Sequence, residues 1–209
     1  MHQLSTVALL ILAFPILSRA QLTKSISVRD ILINQPDYIA TEAFPSAFMG
    51  HGFSVSYKTA KRGDCYRRQS ETQITYSCLN QADTVFYPRT REYRQETRPN
   101  GTGPDALFIS DVQTFAKTRP DVKYTLAGTE KIGEQECLRI EARVTCKGAS
   151  AGYQEYTLVF YAARNLNNLV IGVDVTGKDS YASSRLSNIE LDFPEKLFKR
   201  PEGYRPKRL

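Results

Sequence analysis

Apolar side chains recur at every second position through most of this chain, and a period of two admits strands while excluding amphipathic helices as the main element. Phe53, Val55 and Tyr57 alternate with Ser54, Ser56 and Lys58. Leu138, Ile140, Ala142 and Val144 alternate with Arg139, Glu141, Arg143 and Thr145, and Tyr156, Leu158 and Phe160 line one face of the next candidate strand. Residues 147–152, all small or polar, form a natural hairpin loop between these two. Leu169, Ile171, Val173 and Val175 follow, and Ile189, Leu191 and Phe193 come just before Pro194. Strands that succeed one another through short turns make an antiparallel meander. Two stretches break the pattern. Residues 30–37 read as a short helix carrying Ile31, Leu32 and Ile33. After the turn-rich 98–105, residues 106–117 read as a second helix with Leu107, Phe108, Val112 and Phe115. That second stretch looks like an insertion or lid between two halves of one sheet.

The N-terminus bears on compartment. Residues 7–17 are apolar, and Ser18 and Ala20 supply small side chains at the −3 and −1 positions of a cleavage site before Gln21. Residues 1–20 therefore read as a secretory signal peptide, and the run is shorter than the ~20 residues that span a bilayer. Residues 21–209 are then expected to be one exported domain, periplasmic or secreted. In such a compartment four cysteines are disulfide candidates. Two strands folded about Glu71 and Thr72 place Cys65 opposite Cys78, Arg67 opposite Tyr76 and Gln69 opposite Ile74, so a Cys65–Cys78 bridge is expected. Cys137 and Cys146 would lie about 30 Å apart on one extended strand. They are free, bridged elsewhere, or separated by a bend.

The formal net charge is +6, falling to +5 when residues 1–20 and their single charge, Arg19, are removed. Six basic residues, Lys196, Lys199, Arg200, Arg205, Lys207 and Arg208, lie in the segment 196–209. Such a tail suits an anionic membrane surface or an acidic partner, the alternative being a solvated, frayed end. Arg67, Arg68, Arg89, Arg91 and Arg94 are interleaved with acids and Gln, which fits a solvated sheet face and no nucleic-acid partner. Asn100-Gly101-Thr102 matches a glycosylation sequon, which acts only in a eukaryotic secretory pathway.

Signatures of catalysis are missing: there is no G-x-S-x-G, H-E-x-x-H, P-loop, G-x-G-x-x-G or EF-hand loop. Histidine is confined to His2 and His51, and no C-x-x-C occurs. His51, set between Gly50 and Gly52, has no neighbouring group that would make it a base. The expectation is a non-enzymatic protein without metal or cofactor. What composition does supply is 12 Tyr and 10 Phe. A curved sheet faced with Phe, Tyr, Leu and Val must cover that face, and the result is either a filled core or a cavity for an apolar ligand.

The order of segments resembles a known family. Asp64-Cys65-Tyr66-Arg67 with its hairpin, then residues 85–93 (VFYPRTREY), are similar to the paired strands and aromatic-proline-basic step of LolA-like, outer-membrane lipoprotein-sorting proteins. Residues 128–133 (GTEKIG) leading into 137–142 (CLRIEA), then 160–171, and the ending 197–204 (LFKRPEGY) resemble later elements of that group. The resemblance spans residues 50–204. It implies a half-open barrel wrapped around helices, with an apolar cavity for lipid chains or lipoproteins in the bacterial envelope, and cargo held partly through an arginine and lid helices.

The fold expected is thus mainly β (α+β). It is a curved antiparallel sheet of roughly nine to eleven strands forming a half-open barrel, with one or two short helices on its concave side. The function expected is that of a carrier or receptor for a hydrophobic ligand or lipidated protein. Phe53, Val55, Tyr57, Leu138, Ile140, Leu158, Phe160, Leu169, Ile171 and Leu191 would hold the ligand. The alternative is a secreted interaction module whose core is simply filled.

Overall fold

The structure, a computed structural model, describes residues 27–46, 53–96, 107–147, 153–178 and 180–207. Residues 1–20, His51, the sequon at 100–102 and the loop at 148–152 lie outside the described residues.

Two antiparallel meanders share one sheet. β1 (Tyr38–Ser46), β2 (Phe53–Arg62), β3 (Cys65–Gln69), β4 (Ile74–Cys78), β5 (Asp83–Tyr87) and β6 (Glu92–Glu96) pair in chain order. So do β7 (Tyr124–Ile132), β8 (Gln135–Lys147), β9 (Tyr153–Ala163), β10 (Leu169–Thr176) and β11 (Tyr181–Glu190). β1 pairs with β11 and fuses the two halves, while β6 and β7 end up at opposite sides of the sheet. The sheet is curved and unclosed, as expected.

With β12 (Arg205–Pro206), the described residues form twelve strands, where roughly nine to eleven are expected from the sequence. β1 was hidden because its buried positions are Tyr38, Ala40 and Glu42, a series that mixes an acid and a small residue with one aromatic. β12 was hidden because only two residues pair, in parallel with β6. The last long strand is also displaced: β11 ends at Glu190, after Asn188 takes a positive φ of 51°, and Leu191 and Asp192 form a bend.

Two short helical pieces cover one face. α1 (Val28–Ile33) starts two residues earlier than expected because Ser27 accepts from the Asp30 N–H while the Asp30 carboxylate accepts from the Ser27 N–H, a capping box. In the second stretch a 3-10 turn, Ile109–Asp111, leads into α2 (Val112–Thr118), so the helix is shorter than 106–117 and Leu107 and Phe108 precede it. Leu32, Ile109, Val112 and Ala116 are buried in the same cluster as Ile140, Leu158, Phe160, Leu169 and Val173 of the sheet. Arg29 fastens α1 to α2, donating to the Ala116 carbonyl from Nε (3.2 Å) and Nη2 (3.0 Å). Gln35 anchors the end of α1 to β10 by accepting from the Val170 N–H at 2.7 Å.

On the other face Ile74, Tyr76 and Phe86 form a smaller cluster joined by Tyr93 and Tyr204. Tyr204 meets Phe86 edge-on at 5.1 Å, and the Tyr76 hydroxyl donates to the Lys199 carbonyl at 3.1 Å. The N–H groups of Arg205 and Lys207 donate to the carbonyls of Arg91 (3.0 Å) and Tyr93 (2.7 Å). The basic tail, through Lys207, is therefore a fastened strap, and aromatic burial with ladder bonds is what prevents it from fraying.

The hairpin register is as expected: Cys65, Arg67 and Gln69 face Cys78, Tyr76 and Ile74, and Cys65 and Cys78 are joined. Cys137 and Cys146 are both free, nine residues apart on the single strand β8. Non-reducing peptide mapping should recover the Cys65–Cys78 link, with Cys137 and Cys146 alkylated as thiols after denaturation. Opening the bridge should cost about 3 kcal/mol, from the loop entropy returned to the unfolded chain. Alkylation of Cys65 and Cys78 without reductant would contradict the register.

Candidate functional site

The ten residues expected to hold a ligand do not share one surface. Ile140, Leu158, Phe160 and Leu169 have no exposed area, Ile171 is buried, and Leu138 packs beside them half-buried. Leu138, Ile140, Leu158 and Phe160 share the inner face, whereas a bulge between Val170 and Gly172 sets Leu169 and Ile171 in register with Ala163 and Tyr161, on the opposite face of the sheet. Val55 is 41% exposed and Tyr57 is half-buried, Leu191 sits at the exposed bend after β11, and Phe53 begins β2, its side chain outside the description. Tyr57 meets Phe108 edge-on at 5.7 Å, and Phe44 meets the same ring at 5.1 Å. Phe108 leads into the 3-10 turn, so this trio marks the margin where the cover meets the sheet.

An open groove of about 720 Å³ lies elsewhere, at the ends of β8, β9 and β10, and none of the ten residues lines it. Its walls include Arg143, Glu155, Thr157 and Lys178 together with Tyr153, and its mixed polarity does not suit an acyl chain.

The unexpected feature is polar. Under the 3-10 turn the inner face of β1, β2 and β3 carries Tyr38, Glu42, Thr59 and Arg68. The register brings them together: Thr59 faces Ala40 on β1 and Arg68 on β3, and Tyr38 and Glu42 flank Ala40 on the same face. Glu42 is completely buried. Its Oε1 accepts from the Ile109 N–H at 2.5 Å and from the Ser184 hydroxyl at 2.8 Å, so it grips the first residue of the turn. Arg68 donates from Nη2 to Ser110 Oγ at 2.7 Å and to Asp111 Oδ2 at 3.3 Å, and its guanidinium lies 3.8 Å from the Phe108 ring centre. The Tyr66 hydroxyl donates to Asp111 Oδ1. Arg68 therefore faces inward with its side chain 17% exposed, and the expectation of a solvated face fails for it. Carboxylates brought from β1 and from the cover, and the Phe108 ring, make that position tenable for a guanidinium.

The electrostatics follow from burial. Desolvation pushes the Glu42 carboxyl above its ordinary value, although Arg68 and the two hydrogen bonds pull it down. Desolvation, reinforced by Glu42, raises the Tyr38 phenol well above the usual 10. Burial works against the Arg68 cation, yet Asp111 and Glu42 outweigh it and its pKa is raised. Four polar atoms of the cluster are buried with no partner among the described residues: Tyr38 Oη, Glu42 Oε2, Thr59 Oγ1 and Arg68 Nε. Leaving such groups unpaired costs on the order of 1–3 kcal/mol each. Sequence reading missed this cluster because an inward Glu and Arg reverse the alternation rule. The one available signal was Glu42 at the same spacing as Tyr38, Ala40 and Phe44.

No family model and no curated protein matches the chain. Among solved structures it is similar to a LolA superfamily protein from Nitrosomonas europaea, at 14% identity and a TM-score of 0.44, over 85% of this chain and 97% of that one. It is also similar to a domain assigned to outer membrane lipoprotein sorting in Vibrio parahaemolyticus, at 12% identity and a TM-score of 0.38, over 78% of this chain and 88% of that one. A third is the lipoprotein LppX of Mycobacterium tuberculosis, at 8% identity and a TM-score of 0.35, over 77% of this chain and 89% of that one. The first two names fall in the group that the sequence resembles. At such identities and scores the likeness bears on neither ligand nor activity.

Glu42 makes stability depend on pH. Its folded pKa lies above the unfolded one, so the folded chain holds this proton more tightly. The stabilisation is complete below the ordinary carboxylate value of 4.5 and is lost as pH rises through the folded value. Glu42→Gln is neutral throughout. Thermal melts from pH 4 to pH 7 should therefore show wild type losing ground to Glu42→Gln, by about 1.4 kcal/mol for each pH unit of displacement. A gap that stays constant with pH would contradict a raised Glu42.

Proposed function

We propose that this chain is an exported, non-enzymatic carrier or receptor for a hydrophobic ligand, a lipid, acyl chain or lipidated protein, in the bacterial envelope. Residues 21–209 act as one domain once residues 1–20 are removed. The observation that carries the reading is the fastening of the cover: the 3-10 turn is held by Glu42, Arg68 and Tyr66, where a permanent core would place apolar side chains. Buried polar contacts that barely repay their desolvation add little to the cost of opening the joint. At the far end of α2 the joint is again ionic, Lys117 to Asp64.

Magnitudes make exchange feasible. Lifting Leu107, Phe108, Ile109 and Val112 off the sheet costs on the order of 6–12 kcal/mol, at about 1.5–3 kcal/mol for each apolar side chain. A C16 chain laid against Ile140, Leu158, Phe160 and Val173 returns about 12 kcal/mol at ~0.8 kcal/mol per CH₂. The two are close enough for the ligand to decide which covers the sheet. Val55 and Tyr57, beside Phe108, supply the apolar margin at which a chain enters. The strap sets Arg205 and Lys207 beside the β5–β6 turn that carries Arg89 and Arg91, a basic edge suited to an anionic membrane surface.

One observation favours the second reading, a secreted interaction module with no ligand: Ile140, Leu158, Phe160 and Leu169 are fully buried by the chain itself. Titration with pyrene-labelled hexadecanol separates the two. The carrier reading expects saturable uptake of one equivalent, weakened severalfold by Val55→Asp with the melting temperature unchanged. Absence of saturable uptake, together with an empty lipid extract from the purified chain, would overturn the carrier reading and leave the filled module.

A further inference from the structure

The cover brings an anion of its own into the inner face. Asp111 ends the 3-10 turn with both carboxylate oxygens engaged: Oδ1 accepts from the Tyr66 hydroxyl, and Oδ2 lies 3.3 Å from Arg68 Nη2. Both donor groups belong to β3 on the sheet, whereas Asp111 belongs to the element that must move if a ligand is to enter. When that element lifts, Arg68 loses Asp111, the Ser110 hydroxyl and the Phe108 ring together. A buried guanidinium then faces Tyr66, Tyr38 and Thr59 with a single carboxyl, Glu42, near it. Nε of Arg68, Oη of Tyr38 and Oγ1 of Thr59 have no partner even with the cover closed. A guanidinium and a phenol that both reach Asp111, with two further hydroxyls on the same inner face, make a receptor for an anionic oxygen acid.

We propose that Arg68 and Tyr66 form the head-group subsite for an anionic, oxygen-acid-headed amphiphile, a carboxylate or a phosphate on an acyl chain, and that Asp111 fills this subsite as an internal surrogate while the cover is closed. The inference rests on the carrier reading and adds to it the charge of the cargo. The ligand's head replaces the Asp111 carboxylate on the same two donors, and its chain replaces the apolar side of the cover. Ligand binding and cover closure are thus mutually exclusive at one charge, and no charge is left buried alone in either state. A neutral or cationic head would leave Arg68 with Glu42 as its one nearby carboxyl, so such lipids are selected against.

The test uses the full mature chain and two probes of equal chain length, palmitate and hexadecanol, displacing pyrene-labelled hexadecanol below their micellar concentrations. Wild type should bind palmitate at least tenfold more tightly than hexadecanol, the scale expected for one charge-assisted pair. Asp111→Asn removes the competing charge and keeps the side-chain shape. It should tighten palmitate about tenfold and hexadecanol less than threefold, because a merely loosened cover would favour both alike. Arg68→Gln and Tyr66→Phe should each narrow the palmitate preference while hexadecanol binding persists, and that retained binding certifies the fold. Equal binding of the two probes in wild type and in Asp111→Asn would overturn the head-group assignment and leave the carrier reading intact. Failure of both probes would overturn the carrier reading and the subsite with it. Binding of inorganic phosphate alone, strengthened by Asp111→Asn to the same extent, would overturn the amphiphile in favour of a free-anion site.

Discussion

Pairing of β1 with β11 is the constraint on which the rest of the structure depends. Without it the chain would be two separate meanders, each with a wet inner face. With it the inner faces of both halves become continuous, and the segment joining β6 to β7 must travel from one side of the sheet to the other. That crossing carries Ile109–Asp111 and α2 over the inner face, where α1 joins them. Curvature, cover and core are therefore set by one strand pair. The position of Glu42 and Arg68 follows from the same register, since β1 and its neighbours β2 and β3 aim these side chains at the turn that passes above.

The two halves of the inner face are built differently. β8, β9 and β10 offer Ile140, Leu158, Phe160 and Val173, all fully buried, and behave as an ordinary core. β1, β2 and β3 offer Tyr38, Glu42, Thr59 and Arg68, which are satisfied only in part and mostly by atoms of the cover. A joint of this kind specifies one closed geometry and yet yields less free energy than apolar packing would. It is suited to an element that stays in place by default and leaves when something better fills both its apolar and its anionic role.

Much of this was legible in the sequence. Alternation exposed β8, β9 and β10 because their inward residues are uniformly apolar, and the short turn at Glu71 and Thr72 fixed the register that brings Cys65 to Cys78. β1 is obscured because Glu42 stands at an inward position, and Arg68 reads as a surface residue because its neighbours Arg67 and Gln69 are polar as well. Whether an arginine is solvated depends on which segment passes over it, and that segment lies 42 residues away at Ser110. The tail posed the same difficulty: Tyr204 looks like one aromatic in a basic stretch until Phe86 and Tyr76 are known to face it. Long-range partners, invisible to local patterning, decide each of these cases.

The central claim is that the cover parts from the sheet while the sheet stays folded, and hydrogen exchange of the ligand-free chain, followed by mass spectrometry, tests it most directly. Opening of the cover alone exposes the amides of residues 107–118 without disturbing β9 and β10. Peptides spanning 107–118 should then exchange at least a hundredfold faster than the protected peptides of β9 and β10, and should slow on addition of palmitate. Equal protection of 107–118 and of β9–β10, with exchange only through global unfolding, would contradict the account.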